Sequence, residues 1–215
     1  MRRHRYSLFL LAFMLFDGSV MAEPLTREQA LGALGQPGAP ARLAGIELLA
    51  GIGSMADADH VLALLGDADP DVRDAAATAV WQIWSRSGDP EIDRLFALGI
   101  EQMRRSALRD ALGTFDDIIQ QKPSFAEGWN KRATILFLLG ENQRSLQDCD
   151  QVLERNPRHF GALSGAGQIH LRLGNLRRAL ALFQRAVDVN PNLDGLRRLI
   201  PLIEERLRKN DGNMI

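Results

Sequence analysis

In the second half of the chain, apolar residues recur three and four positions apart. The runs are separated by short polar breaks such as Gly140-Glu141-Asn142 and Gly174-Asn175. That period puts the apolar side chains on one face of a helix. Pro123, Pro157 and Pro191 close alternate runs, each where a helix must stop before the next begins. The spacing predicts helices near 91–104, 107–121, 125–139, 142–155, 159–173 and 175–188. A further amphipathic segment follows at 194–208. It contains Pro201, which cannot donate to the carbonyl of Arg197, so a kink or break is expected there.

The pattern also repeats. Successive prolines at 123, 157 and 191 lie 34 residues apart, and other positions keep the interval. Leu112, Leu146 and Leu180 are identical. Phe115, Cys149 and Phe183 are apolar, and Gly99, Ala133 and Gly167 are small. Leu95, Trp129 and Leu163 are large. This pattern resembles the tetratricopeptide repeat family, whose 34-residue unit reads W-x-x-L-G-x-x-Y, then A-x-x-x-F, then P. The middle unit supplies Trp129, Ala133, Leu136, Ser145, Cys149 and Pro157. The resemblance covers 91–193 as three units, about 91–124, 125–158 and 159–192, with 194–215 as a capping helix and tail. A solenoid needs such a cap over its last apolar face.

The front half is helical with a different period. Residues 41–66 and 72–98 align at an offset of about 31, pairing Arg42 with Arg73, Leu49 with Val80 and Ile52 with Ile83. The stretch from Asp67 to Trp84 resembles a HEAT-type repeat helix opened by Asp-Pro-Asp. Helix 91–104 is expected to close this array and open the next, making one continuous body. Gly35–Ala41 is the most linker-like stretch. The expected fold is an all-α, right-handed helix-pair solenoid: HEAT-like pairs over 23–90, three tetratricopeptide units, then the cap.

The N-terminus carries Arg2, Arg3 and Arg5, an apolar run from Tyr6 to Phe16, and Val20-Met21-Ala22. This is a secretory signal pattern over 1–22, with cleavage expected after Ala22 and a periplasmic or secreted product. The run is shorter than the ~20 apolar residues of a membrane span. No integral membrane segment is expected after cleavage, although the signal staying on as an anchor is left open.

Charge and chemistry refine the picture. The formal net charge of −1 argues against a dedicated nucleic-acid binder. It conceals an acidic front, with 5 basic and 12 acidic side chains over 23–94, and a basic back, with 18 and 14 over 95–215. One cysteine excludes an intramolecular disulfide scaffold and a multi-cysteine zinc site. His60, His159 and His170 show no metal-ligand spacing. The nucleophile elbow, phosphate-loop and dinucleotide signatures do not occur. No catalytic residue, metal or cofactor is therefore implied, and the expected class is non-enzymatic.

Two features remain. Arg132 stands where the family pattern has leucine, and a buried guanidinium needs a carboxylate. Asp148 and Asp150 on the facing helix are the expected partners. The resemblance also implies a concave groove, formed by the first helix of each unit, that takes a partner segment. Its implied lining includes Met103, Arg104, Asn130, Thr134, Phe137, Gln168 and Arg172. The Lys/Asn set that some members use to clamp a C-terminal carboxylate is absent. The reading is a scaffold or adaptor for a protein partner in the bacterial periplasm. Two alternatives stand beside it: an assembly factor or chaperone for envelope or secretion machinery, and an auxiliary subunit of an enzyme complex. Partner, oligomeric state and the reactivity of Cys149 stay open.

Overall fold

A computed structural model describes residues 26–212. All its regular elements are helical. They are α1 (Arg27–Ala33), α2 (Ala39–Ile52), α3 (Ala58–Leu62), α4 (Pro70–Trp84), α5 (Pro90–Arg104), α6 (Leu108–Gln121), α7 (Ala126–Leu138), α8 (Asn142–Arg155), α9 (Phe160–Arg172), α10 (Leu176–Val189) and α11 (Asp194–Gly212), with short 3-10 turns flanking α3. The expected signal segment lies outside the described residues. Among the described residues no helix is long and apolar enough to cross a membrane.

Local chemistry sets the helix starts. Asp69 and Asp89 accept hydrogen bonds from the first free amides of α4 and α5, and each is followed by proline at the first helical position. Thr26 and Gln29 form a reciprocal capping box on α1. Within each 34-residue unit the two helices are separated by one residue of positive φ: Ser106 at 60°, Gly140 at 82° and Gly174 at 77°. Glycine takes this left-handed turn without a side-chain clash, and Ser106 takes it at a cost.

The units pack as antiparallel pairs, α5 with α6, α7 with α8 and α9 with α10. They are joined through α6–α7 and α8–α9, and α11 lies on α10. Their interiors obey a size rule. A Cβ on Gly99 would lie 2.7 Å from the Phe115 ring, and one on Gly167 would lie 2.5 Å from Phe183. The middle unit places Ala133 against Cys149 instead. Small meets large at the ends, and medium meets medium in the centre. α11 covers the exposed end of the array with Leu196, Leu199, Ile200, Ile203 and Leu207. The expected break at Pro201 does not occur, since α11 runs through it. Pro201 and Arg197 are both exposed, so the carbonyl that loses its helical donor faces water.

The front half has its own core, built from Ile46, Leu49, Val61, Leu65, Val72, Val80 and Ile83 on α2–α4 and the turn after α3. Gly35–Ala41 is a tight corner rather than a domain linker, because α2 already begins at Ala39 and packs on α1. The expectation that helix 91–104 serves both arrays is corrected. α4 packs on α2 and α3, whereas α5 packs on α6. The buried face of α5 turns into the repeat array, with Phe96 set edge-on to Phe115 and Phe125. The front core instead reaches the third unit, taking in Phe160, Val189 and Leu193. Asn192 donates to the Leu65 carbonyl at 2.7 Å and Arg158 to Asp59 at 2.9 Å. The chain therefore doubles back, and its first module docks on the inter-unit turns of the repeat array.

Candidate functional site

Four of the seven residues implied as groove lining converge. Asn130, Thr134 and Phe137 from α7 and Gln168 from α9 line one depression of about 120 Å³, floored by Ala133, Ser145 and Cys149. The hollow has a cause in the sequence. The flanking units fill this level with Phe115 and Phe183, and the middle unit has the smaller Cys149. Thr134 and Gln168 are exposed, and Gly165 opens the wall of α9, with nothing within 4 Å of where its Cβ would be. Arg172 completes one end by laying its guanidinium over the Phe137 ring at 4.1 Å. Polar hydrogen-bonding groups beside an aromatic anchor suit an extended peptide.

The other implied residues are placed elsewhere. Met103 does not line this depression; it is partly buried and packs against the α5–α6 core. Arg104 is exposed and pairs with Glu101 at 2.7 Å. Together with Arg105 it holds the Glu101 carboxyl down at about 2. Asn130 does line the depression, but its amide donates to both oxygens of Glu127.

Arg132 is mostly buried. Its Nε and Nη2 grip Asp148 at 2.8 and 2.7 Å, and its Nη1 donates to Asp116 at 2.7 Å. The third member of the cluster is thus Asp116 on α6, not Asp150, which is exposed and lines a cleft with His170 and Arg178. α7 sits between α6 and α8, so one guanidinium ties three helices together. Cys149 is buried, and burial beside Asp148 and Asp150 pushes its thiol up to about 12. That disfavours the thiolate, the form in which cysteine reacts.

A second polar cluster escaped the sequence reading. Glu127 and His159 are both fully buried, with His159 Nε2 at 2.5 Å from Glu127. His159 Nδ1 accepts the Ala162 N–H at 2.9 Å and so caps α9. Nδ1 must therefore offer a lone pair, and the ring proton on Nε2 goes to Glu127. Lys131 approaches Glu127 at 3.2 Å and lies over the Trp81 ring. Burial alone would raise the Glu127 carboxyl. The hydrogen bond from His159, the Lys131 charge and the Asn130 amide overcome it and hold the group well below the usual carboxylate range. Trp84 stacks on the other face of this network. Trp81 reaches α9 only because Gly161 lacks a side chain; a Cβ there would lie 2.6 Å from the indole. Every nitrogen of His159 is committed, so the pair bolts α7 to the start of α9 rather than acting as an acid–base couple. The sequence signal was slight: two tryptophans three apart, and a histidine just before a helix.

Comparison with known proteins agrees with this architecture. The tetratricopeptide repeat profile matches residues 143–194. A TPR repeat-containing protein of Rhizobium etli is 35% identical over 145 residues, 66% of this chain and 70% of that protein. Among solved structures, MamA superposes with a TM-score of 0.53 at 17% identity, over 64% of this chain and 80% of that one. The first TPR domain of Spaghetti, bound to an HSP90 peptide, gives 0.52 at 19% identity, over 54% and 93%. With its 34-residue period, its paired helices and this relative, the chain belongs to the tetratricopeptide repeat family.

Proposed function

We propose that this protein is a non-enzymatic adaptor, and that a partner's extended segment lies in the depression between α7 and α9. The observation that carries the reading is the convergence of Asn130, Thr134, Phe137 and Gln168 on one hollow, left open by the small Cys149. The Spaghetti TPR domain, which shares the fold, is bound to a peptide, which supports a peptide as the class of ligand. The polar groups would meet the ligand backbone, and Phe137 under Arg172 would take an apolar side chain. Export to the periplasm is part of the proposal. It rests on the basic start, apolar run and small-residue site of residues 1–22.

A photo-crosslinking amino acid placed at Gln168, and at exposed Asp117 on α6 as control, tests the groove in an extract of the source cells. Capture of one protein from Gln168 and not from Asp117, lost on Phe137→Ala, is the expected outcome. Equal capture from both positions refutes groove binding. For export, an N-terminal sequence of the mature protein beginning at Glu23 is expected. A product retaining residues 1–22 in the cytoplasm overturns it.

A further inference from the structure

The docking of the first module leaves a cavity of about 290 Å³ at the seam, between the end of α4 and the turns that precede α7 and α9. It shares no residue with the groove. Two of its wall residues are buried donors with unused hydrogens: Trp84, 2% exposed, and Asn156, 7% exposed. Trp84 Nε1 and Asn156 Nδ2 have no acceptor among the described residues. Buried donors are ordinarily paired, so two orphans in the wall of one cavity point to an acceptor supplied from outside the chain. Arg86, Lys122 and Arg155 add three cations to the lining.

These groups are not equivalent. Arg86 spends its guanidinium on the carbonyls of Leu49, Ala50 and Gly53, and Arg155 bonds Pro123 and Gln151. Lys122 is half-buried and has no ion pair among the described residues. The single carboxylate in the wall, Glu127, is occupied by His159, Asn130 and Lys131. The cavity thus offers donors and positive charge, with the Trp84 and Phe125 rings as apolar walls. Its volume is near the lower end for ligand pockets.

We propose that this seam cavity binds an organic carboxylate: an acid head held by Lys122, Trp84 and Asn156, with a small apolar body against Trp84 and Phe125. A metal cation is disfavoured by the surplus of donors. A bare inorganic anion would leave the apolar walls unused. The acid has two sources, a free small molecule or the carboxyl end of a peptide.

The test is an NMR titration of the 15N-labelled protein, following the indole N–H signals, with that of Trp84 assigned by its loss in Trp84→Phe. The probes are benzoate, methyl benzoate, and a short peptide ending in phenylalanine as its free acid and as its carboxamide. At about 10 mM, tenfold above a millimolar Kd, benzoate or the peptide acid shifts the Trp84 signal and leaves that of Trp129 unmoved. The ester and the amide do not. Response to benzoate identifies a small-molecule site, and response to the peptide acid alone identifies a chain terminus. Lys122→Gln, an exchange at a half-exposed position, weakens the responding probe about tenfold. An unmoved Trp84 signal with both acids overturns the proposal. So does a shift of equal size with the ester or amide.

Discussion

Trp84 stacks on His159 with ring centroids 4.4 Å apart and planes inclined by 22°. One residue ends the fourth helix and the other caps the ninth, so this contact joins the front module to the repeat array. Trp81 and Phe160 pack around the pair, and Glu127 holds the far edge of the imidazole. Trp84→Ala is expected to cost about 3–5 kcal/mol in urea unfolding, the usual range for emptying a large aromatic site. The loss should be localised. Hydrogen exchange should quicken in α4 and at the start of α9, while α5 and α6 keep their protection. Uniform acceleration across all helices would contradict a seam role.

The same network makes stability depend on pH. Glu127 holds its proton less tightly when folded than at its ordinary value of 4.5. As pH falls below about 4.5 the unfolded chain takes up that proton first, so the stabilisation present at neutral pH is lost with acidification. Unfolding free energies of the wild type should fall as pH drops from about 5 to about 2. Glu127→Gln should be less stable at pH 7 and show a flatter slope. Identical slopes would assign the acid sensitivity to other carboxylates.

Asp148 and Asp150 differ by two positions and should differ sharply in effect. Asp148→Ala removes two of the three carboxylate hydrogen bonds of the mostly buried Arg132, leaving only half-exposed Asp116, and is expected to cost about 3 kcal/mol. Asp150→Ala, at an exposed position, should stay within about 0.5 kcal/mol. Asp116→Ala falls between them, at about 1 kcal/mol or less, because that carboxylate is half in water. Denaturant midpoints at constant slope distinguish the three.

Two glycines of one helix should respond in opposite directions. Gly167→Ala drives a Cβ into Phe183 and should destabilise by about 1–3 kcal/mol. Gly165→Ala meets nothing and gains helix propensity, up to about 1 kcal/mol. Thermal melts of the two variants side by side check the size rule.

Ser106 occupies the left-handed turn that Gly140 and Gly174 take in the other units. Ser106→Gly should stabilise the first unit by about 1 kcal/mol, because it relieves the Cβ clash with the following carbonyl. A lower melting temperature would show that the serine side chain contributes more than the strain costs.

Much of this molecule is written in its periodicity. The six repeat helices begin and end within a few residues of where the apolar spacing and prolines place them, because helix boundaries depend on local caps and on the 3.6-residue period. Arg132 was marked as needing a carboxylate by its substitution for leucine. Which carboxylate was harder. Asp116 lies on the preceding helix, and a pattern of alternating faces does not rank three acids of similar height. Met103 looked like groove lining because an apolar residue on a first helix satisfies either the groove or the core, and periodicity does not separate the two.

By itself, then, the sequence determined that the fold is all-α and that three 34-residue units stack, with Cys149 in the middle one at the apolar position that Phe115 and Phe183 take in the others. Local propensity and nearest-neighbour packing suffice for those. Only the tertiary structure decided that the front module folds back onto the third unit instead of extending the array. The partners are far apart in the chain: Arg158 meets Asp59 across 99 positions and Asn192 meets Leu65 across 127. A periodic pattern reports which face is buried, not what buries it. The buried bolt of Glu127, His159 and Trp84, and the cavity beside it, exist only once two separately folded surfaces meet.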